Sequence, residues 1–440
     1  MKHNMKIAYL TLGCKLNYAE TSTYERGFKA AGLETVPWNE KADVYLINTC
    51  SVTAHSDNKC RNIIRKCHRV SPEAAIIVTG CYAQLRREEV AAIEGVRLVF
   101  GAREKGLVVE KTLAMLENHE PAKDREATGT KTAIASATTA ADYKDISQTT
   151  FGAFSSGERT RSFLKVQDGC NNFCAYCTVP YARGESRNIP VAKAVEYAKE
   201  IAAQGIREIV LTGVNTGDFG RTTGESFLSL LKALNEVEGI ARYRISSIEP
   251  NLITDEIIEW IASGTKFMPH FHIPLQVGDD ELLARMGRHY TTAQFAERID
   301  RIRSAMEGPG RLPVFFGIDL MAGLPGETDE KFESSFRFIA ERIRPAFIHV
   351  FPYSRRPGTR ADKMPDQVRD GIKTERVKRL EELCRHLQED FEASCKGLEA
   401  TVLWESTGHD GMMSGYTDNY IRVSRPYDAD RTGTLEKVIL

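Results

Sequence analysis

The chain has 440 residues, more than one hydrophobic core organises, so we expect two to four domains. Its net charge of −1 excludes a chain that is basic throughout, and any contact with nucleic acid must therefore come from a local basic patch. No apolar run is long enough to span a bilayer and the N-terminal residues lack a signal-peptide core, which predicts a cytoplasmic protein without membrane contact.

The first 115 or so residues alternate strand-like and helix-like segments. The strand candidates are KIAYLTLG, DVYLINT, AAIIVTG and RLVFG, and helix-like stretches follow them at 18–31, 58–70, 84–93 and 105–117. Repeated alternation of this kind predicts a parallel sheet with helices on both faces. We therefore expect an open parallel α/β domain at residues 1–118.

The middle of the chain changes character twice. Residues 119–160 are rich in Ala, Thr, Lys and Asp without clear periodicity, which predicts a linker or a long excursion. Over residues 161–375 the alternation resumes, with strand candidates SFLKVQDG, REIVLTG, YRISSI, HFHIPLQ, VFFGIDLMAG and AFIHVFPY. Six βα units favour a partial (β/α)6 barrel over a closed eight-fold one.

The C-terminal end begins with a charged helix, expected at about 366–396, and then reads as purely β. The strand candidates ATVLWES, GMMSGYTDNYIRVSR and GTLEKVIL have the size of a small antiparallel β-barrel, which we place at residues 376–440. The predicted fold class is thus α/β, with an N-terminal open parallel domain, a central partial barrel and a C-terminal β-barrel.

Ten cysteines require an explanation, and metal binding or catalysis explains them better than disulfides because cytosolic thiols are kept reduced. Cys170, Cys174 and Cys177, the motif triad, form a Cys-x3-Cys-x2-Cys run. Three thiolates in eight residues suit a [4Fe–4S] cluster whose fourth iron stays open for a small molecule. The alternatives are buried packing or a partial zinc site, but no fourth ligand lies at zinc-like spacing.

Cys14, Cys50 and Cys81, the strand-end triad, each directly follow a predicted parallel strand of the first domain. Because the carboxyl ends of parallel strands share one edge of a sheet, these thiols can converge on a second Fe–S site. The alternative is three unrelated buried cysteines. Cys60 and Cys67 lie seven apart on one helix face, where core packing is expected. The two remaining cysteines lie on or near the late helix and are expected to be incidental.

The residues DGCNNFCAYCTVPYARGESR resemble the methylthiotransferase family of the radical S-adenosylmethionine (SAM) superfamily, and GCKLNYAE, NTCSVT and TGCYAQ resemble its N-terminal pattern. The resemblance implies that the motif triad binds a [4Fe–4S] cluster whose reduced form cleaves SAM to a 5′-deoxyadenosyl radical, which takes hydrogen from carbon 2 of an adenine. It implies that the strand-end triad binds an auxiliary [4Fe–4S] cluster that supplies or carries the inserted sulfur.

The resemblance also implies a SAM site at the strand ends, close to the motif triad. The residues expected there are Tyr176, Gly213, Asn215, Ser247, Glu249, His272, Gln276 and Arg288. Their alternatives are a turn glycine, ordinary packing, strand-end caps and, for Arg288, a surface charge. The segment GLPGET resembles a family turn, with Thr328 expected as a helix N-cap. Val277 and Gly287 depart from the family pattern, which commonly has Ser and a longer polar residue there.

The terminal segment resembles a TRAM domain, a small RNA-binding β-barrel. Its aromatic and basic residues could stack on bases and meet phosphates, with barrel core and a solvated face as the alternative. The residues concerned are Trp404, Tyr416, Tyr420, Arg422, Arg425 and Lys437. Further basic residues lie in YSRRPGTR at 353–360.

Within the family, GCKLNYAE and TGVNTG most resemble the branch acting on N6-threonylcarbamoyladenosine next to the anticodon of tRNA. The implied product is its 2-methylthio derivative, made with two SAM molecules per turnover and with electrons from a donor such as flavodoxin or ferredoxin. Alternatives left open are isopentenyladenosine in tRNA, an aspartate of a ribosomal protein, and a non-enzymatic Fe–S protein that binds RNA or senses redox state.

Overall fold

The computed structural model describes residues 5–117, 133–134, 150–157, 160–405 and 411–440. The chain forms two compact units: the first comprises Met1–Ser155, Asp168–Asn171 and Cys177–Arg187, and the second Ser156–Gln167, Asn172–Tyr176 and Asn188–Leu440. The predicted domain boundaries stay a prediction, and most of the predicted linker lies outside the described residues. None of the described helices is long and apolar enough to cross a membrane.

The first unit contains the predicted parallel sheet. Its strands are β1 (Lys6–Thr11), β2 (Glu34–Val36), β3 (Val44–Thr49), β4 (Ala75–Gly80), β5 (Val96–Val99) and β6 (Ala133–Ile134), in the order β2-β1-β3-β4-β5-β6, and a short strand β7 (Ala153–Phe154) follows. Every residue of β3 and β4 is buried, as expected for central strands covered on both faces. The sequence had not indicated β2, because Glu34–Val36 is short and mostly exposed.

The helices of this unit pack on both faces of the sheet. They are α1 (Lys15–Ala30), α2 (Ala54–Val70), α3 (Cys81–Leu85), α4 (Arg87–Ala91), α5 (Val108–Glu117) and α6 (Val179–Arg183), with a 3₁₀ turn at Ala102–Leu107. Tyr45 and Ile47 point into one core and Val44 and Leu46 into the other, which is the two-residue alternation of a strand. The single helix predicted at 84–93 is wrong, because Arg86 adopts φ −133° and ψ 43° and separates α3 from α4.

The second unit contains six parallel strands in chain order. They are β8 (Arg161–Lys165), β11 (Glu208–Thr212), β12 (Arg242–Ile245), β13 (His270–His272), β14 (Phe315–Ala322) and β15 (Phe347–Pro352), and the short β9 (Gln167–Asp168) and β10 (Arg187–Asn188) lie at the points where the chain passes between units. Strands β8, β11 and β12 pair with one another, as do β13, β14 and β15. Two parallel bridges, Tyr243 to Phe267 and Ser247 to His272, connect the two groups.

The helices of the second unit include those predicted after the first, second and fourth of these strands. They are α7 (Val191–Ala203), α8 (Phe227–Asn235), α9 (Asp255–Ala262), α10 (Asp280–Arg285), α11 (Thr292–Met306), α12 (Asp329–Arg337) and α13 (Asp370–Ser394), with 3₁₀ turns at Thr216–Asp218, Pro250–Leu252, Ala361–Lys363 and Ala429–Arg431 and a π-helical turn at Phe338–Ile343. Along β14, Phe316, Ile318 and Leu320 are buried, whereas Asp319 and Met321 on the opposite face are half-buried. The face of β14 opposite this core therefore carries the carboxylate of Asp319.

The terminal strands form an antiparallel sheet, as predicted. They are β16 (Glu399–Trp404), β17 (Met412–Tyr416), β18 (Arg422–Pro426) and β19 (Leu435–Ile439), in the order β18-β17-β16-β19. Val402, Trp404 and Met413 form its buried core. Residues 406–410, part of the segment that resembles a TRAM domain, lie outside the described residues.

A buried ionic cluster ties the terminal sheet to the parallel strands of the second unit. Glu208 is fully buried, and its carboxylate lies 2.7 Å from Nη2 of Arg242, 3.0 Å from Nε of Arg244 and 3.8 Å from Nη1 of Arg161. The same arginines donate across to the terminal residues, Arg242 to the Thr401 carbonyl at 2.9 Å and Arg244 to the Thr417 carbonyl at 2.7 Å. The Glu208 carboxylate therefore fixes the two arginines, Arg242 and Arg244, that bind the terminal sheet.

Replacing Glu208 by glutamine should destabilise the protein and change its acid sensitivity. Burial raises the pKa of Glu208, but Arg244, Arg242 and Arg161 outweigh it and hold the pKa below the ordinary 4.5. The stabilisation is therefore present above the unfolded-state pKa and lost as the pH falls through the lowered folded-state pKa. We expect Glu208→Gln to lower the free energy of unfolding by about 3–5 kcal/mol near neutral pH, since buried arginines lose their partner. Urea unfolding measured from neutral to acidic pH tests this, and an equal acid slope in both proteins would contradict it.

Candidate metal and cofactor sites

The strand-end triad lies at the carboxyl edge of the first unit's sheet, as predicted. Cys14, Cys50 and Cys81 follow the ends of β1, β3 and β4. Gly13 and Gly80 precede two of them with φ of 102° and 101°, values that favour glycine. A Cβ on Gly13 would lie 2.7 Å from Cβ of Cys50. The Gly-Cys pairs therefore let the chain turn sharply at the sheet edge with the cysteines close together.

Besides burial, the other two thiols of the strand-end triad contribute to the pKa of Cys50. Burial raises the pKa of the Cys50 thiol to about 12, with Cys81 and Cys14 as further contributors. Cys14 is exposed and Cys81 half-buried, and all ten cysteines are free thiols. Over the described ranges, the one group of three His, Cys, Asp or Glu donors within 4.8 Å of one another is His272, Asp319 and His349.

The spacing and chemistry of the strand-end triad fit an Fe–S cluster better than a zinc ion. Its sulfurs are not close enough to form one of the groups that share a single ion. Three thiolates that bind different irons of a cube are separated by the cube itself, whereas ligands of one zinc ion crowd around it. The exposed Cys14 leaves the edge accessible from outside.

Asparagine and threonine side chains fix the strand ends that carry these cysteines. Nδ2 of Asn17 donates to the carbonyls of Leu12 at 2.8 Å and Thr49 at 3.0 Å. Nδ2 of Asn48 donates to the Asn17 carbonyl at 3.0 Å. Oγ1 of Thr49 donates to the Thr79 carbonyl at 2.6 Å. Sequence reasoning missed these residues, although Asn17 lies within the GCKLNYAE motif.

A buried network of charges lies in the same unit. Glu20 and Asp168 are fully buried, and Lys105, Arg183 and Arg187 are at most 5% exposed. Nζ of Lys105 lies 2.8 Å from Glu20, and Nη1 of Arg183 lies 2.9 Å from Asp168 and 3.3 Å from Glu20. Nη2 of Arg187 lies 3.6 Å from Asp168. Three cations thus surround two carboxylates, and none of the five residues was predicted as part of a site.

Cys170 and Cys177 of the motif triad belong to the first unit, and Cys174 belongs to the second. The Cys174 thiol accepts a hydrogen bond from Nη1 of Arg288 at 3.3 Å. The same nitrogen lies 3.5 Å from the Tyr176 hydroxyl, and Nη2 lies 3.0 Å from Glu249. The Arg288 side chain is only 4% exposed, which rules out the surface-charge alternative.

The glycine-rich end of β11 is held by a side chain of the preceding strand segment. Oε1 of Gln167 accepts hydrogen bonds from the backbone of Val214 at 2.8 Å and Asn215 at 3.1 Å. A Cβ on Gly213 would lie 2.8 Å from the same oxygen, so this close approach requires glycine. Oδ1 of Asn215 accepts from the Glu249 amide at 3.3 Å, which joins the turn to the Arg288 pair.

The remaining predicted SAM residues lie on the neighbouring strand ends. Ser247 bridges to His272, and Nε2 of His272 lies 3.0 Å from Asp319. Gln276 has φ of 71° and its amide donates to the Asp319 carbonyl at 2.7 Å. The second unit thus contains the whole predicted set of SAM residues, and their contact with SAM stays a prediction.

The two departures from the family pattern have structural explanations. Val277 is 2% exposed and packs in the core. Gly287 has φ of 74°, and a Cβ there would lie 2.8 Å from Nη2 of Arg360. The prediction of Thr328 as an N-cap is confirmed, because its hydroxyl accepts from the Lys331 amide at 3.3 Å.

Among the aromatic residues of the terminal sheet, Trp404 is buried, whereas Tyr416 and Tyr420 are half-buried. Trp404 is 3% exposed, and its Nε1 donates to Glu436 at 2.7 Å. Tyr416 stacks on Tyr420 with ring centroids 4.6 Å apart, and the Tyr420 hydroxyl accepts from Arg161 at 3.2 Å. Trp404 belongs to the core of the sheet, and the predicted base-stacking role of the three residues stays a prediction.

Comparisons with known proteins agree with this arrangement. Residues 6–101 match the model described as uncharacterized protein family UPF0004, and residues 164–339 match that of the radical SAM superfamily. The chain is 38% identical to the threonylcarbamoyladenosine tRNA methylthiotransferase MtaB of Bacillus subtilis, covering 98% of this chain and 93% of the relative. It is 34% identical to the MtaB of Aquifex aeolicus, covering 96% and 97%.

Among solved structures, the fold is similar to that of the radical SAM methyltransferase TsrM from Kitasatospora setae, which was determined with cobalamin and a [4Fe–4S] cluster bound. The TM-score is 0.55 at 15% identity, covering 82% of this chain and 77% of that one. This likeness supports the fold alone. The near full-length identity to the curated relatives goes further: the chain belongs to the radical SAM methylthiotransferase family.

Proposed function

We propose that this protein converts N6-threonylcarbamoyladenosine next to the anticodon of tRNA to its 2-methylthio derivative. The observation that carries the proposal is the strand-end triad: three cysteines at one sheet edge, in a chain that also has the Cys-x3-Cys-x2-Cys motif. The substrate rests on the names of the full-length relatives, which act on threonylcarbamoyladenosine in tRNA.

The motif triad would hold one [4Fe–4S] cluster and the strand-end triad a second. When bound, these clusters and SAM supply the radical that activates a carbon–hydrogen bond and the sulfur and methyl group that are added. The residues of the chain bind and orient: Arg288 donates to the Cys174 sulfur and neutralises Glu249, and the Gly213–Asn215 backbone offers polar groups at the strand end. Two SAM molecules per turnover and a flavodoxin or ferredoxin as reductant complete the proposal.

The finer architecture belongs to the same proposal. The six parallel strands of the second unit would form a partial (β/α)6 barrel, with the predicted SAM residues at the carboxyl ends of its strands. The terminal antiparallel sheet would be a TRAM-like domain. Trp404 is buried in its core, so contact with RNA would rely on the basic residues and on the half-buried Tyr416 and Tyr420.

A basic surface suited to tRNA lies on α2 of the first unit. This helix carries five Lys and Arg against a single Asp, in a chain whose net charge is −1. Arg61, Arg65 and Arg69 recur every four residues and therefore share one face. With His68 they line a groove that also contains Glu89 and Glu94. Arg65 and Arg69 are exposed, and such clustered cations bind phosphates through release of counterions.

Reversing two of these charges, Arg65→Glu with Arg69→Glu, should weaken tRNA binding about tenfold or more. Each lost phosphate contact should also flatten the plot of log affinity against log salt by nearly 1, about 2 in total. The matched control is Arg379→Glu with Arg385→Glu on α13, whose guanidiniums already pair with Glu333 and Glu382. Filter binding across salt concentrations measures both, and equal losses in the two double variants would contradict a specific surface.

The function itself is tested by expressing the chain in a cell that lacks its own methylthiotransferases and analysing tRNA nucleosides by mass spectrometry. Methylthio-threonylcarbamoyladenosine is the expected product. Methylthio-isopentenyladenosine would keep the chemistry and change the substrate. Neither product, from protein whose clusters are loaded, would overturn the tRNA assignment and leave the ribosomal-protein aspartate as the next candidate.

A further inference from the structure

Within the residues that the structure describes, the buried charge network of the first unit contains three cations and two carboxylates. Lys105, Arg183 and Arg187 lie around Glu20 and Asp168 with all five side chains nearly inaccessible. Cations held at fixed positions in the protein interior stabilise negative charge on a group that lies close to them.

The strand-end triad lies next to this network. Asn17 connects the two groups directly, since its Oδ1 accepts from Nη2 of Arg183 and lies 3.9 Å from the Cys14 thiol. Only the Asn17 side chain therefore separates Arg183 from the Cys14 sulfur, and Lys105 lies beside Arg183 because both cations contact Oε1 of Glu20. A buried charge acts more strongly over such a short distance than a charge at the surface.

We propose that Arg183, with Lys105 beside it, is a positioning residue that stabilises negative charge on the auxiliary cluster at Cys14, Cys50 and Cys81 and thereby raises its reduction potential. The inference rests on the proposed function, because it requires that cluster. The physical reason is that reduction adds one electron and no compensating proton, so a fixed cation nearby favours the reduced state. Glu20 and Asp168 hold the two cations in place through the ion pairs of the network.

The network also explains why the cations are held so firmly. Arg183 forms ion pairs with both carboxylates and a third hydrogen bond to Asn17, so its guanidinium has one orientation. An arginine fork held at several points loses little further freedom when it faces an anion. A lysine in the same place keeps the charge but not the fork, and a methionine keeps neither.

The test isolates the auxiliary cluster in the full chain by replacing Cys170, Cys174 and Cys177 with alanine. In that background the midpoint potential is measured by dithionite titration followed by electron paramagnetic resonance. Arg183→Met should lower the reduced-to-oxidised ratio at a given potential at least tenfold, which for one electron is about 59 mV. Arg183→Lys should recover most of this difference. The control is Arg87→Met, which removes a buried guanidinium of the same unit that pairs with Glu104 at 2.8 Å.

The outcomes separate this inference from the proposed function. Equal potentials for Arg183→Met and Arg183→Lys, in protein with loaded iron, would mean a purely structural role and overturn the inference alone. If Arg183→Met does not fold, Lys105→Met decides in its place: a lowered potential supports the inference and an unchanged one overturns it. Absence of iron from the triple alanine protein itself would overturn the second cluster and the inference with it.

Discussion

Replacing Cys50 by alanine should abolish the methylthio product while SAM is still cleaved to 5′-deoxyadenosine. Cys50 is the central member of the strand-end triad. The backbone turn at Gly13 packs against its side chain, since a Cβ on Gly13 would lie 2.7 Å from Cβ of Cys50. Two thiolates do not hold a [4Fe–4S] cube that three are placed to bind, so the iron content should fall from about eight to about four per chain. The motif triad is untouched, so radical formation continues without a sulfur to transfer.

Cys60→Ala is the matched control for this experiment. Cys60 is also buried in the first unit, and its thiol donates to the Cys50 carbonyl at 3.3 Å. It belongs to the hydrophobic core, so its loss should cost about 1 kcal/mol of stability and leave iron and product in place. Iron analysis, 5′-deoxyadenosine and nucleoside products are measured together. A Cys60 variant that loses iron as the Cys50 variant does would make the assignment of the ligands wrong.

Replacing Cys174 by alanine should have a different effect from replacing Cys50. Both SAM cleavage and product formation should fall at least a thousandfold. Without this thiolate the motif triad has two ligands, and the open iron that would bind SAM is no longer defined. Arg288 also loses the sulfur that accepts its hydrogen bond, although its guanidinium keeps Glu249 and the Tyr290 hydroxyl as partners. The auxiliary cluster should remain, again at about four irons per chain.

Cys384→Ala provides the control in the second unit. Cys384 is buried on α13, and its sulfur accepts from the Ile348 amide at 3.2 Å, which is a structural contact. We expect a modest loss of stability and full SAM cleavage. If Cys174→Ala still released 5′-deoxyadenosine at the rate of the unaltered protein, the motif triad would not be the site of SAM cleavage.

Much of the first unit could be read from the sequence because its strands are central and short. Runs such as VYLINT and AIIVTG are buried on both faces, so they are almost continuously apolar and stand out from the helices around them. A cysteine directly after such a strand has little choice of position, since parallel strands end at one edge. The strand-end triad was therefore predictable although its members are far apart in the sequence.

The sequence was a poor guide where tertiary contacts decide the structure and the local residue pattern does not. The helical pattern at 84–93 is interrupted at Arg86, and nothing in the local sequence signals the break. Trp404 also has the character of a residue that stacks on RNA bases, but its side chain is buried in the core of its sheet. Aromatic side chains suit both uses, and only the neighbours decide between them.

The sequence by itself determined the alternation of strands and helices, the two cysteine triads and the family, because each depends on residue type and on spacing along the chain. Only the tertiary structure brought Lys105 to Glu20 across 85 positions, Arg183 to Glu20 across 163 and Arg288 to Cys174 across 114. In the sequence these are ordinary charged residues, which are exposed in most proteins. Whether a charge is buried, and against which partner, depends on how the chain folds back on itself, and that placement converts a common lysine or arginine into part of a site.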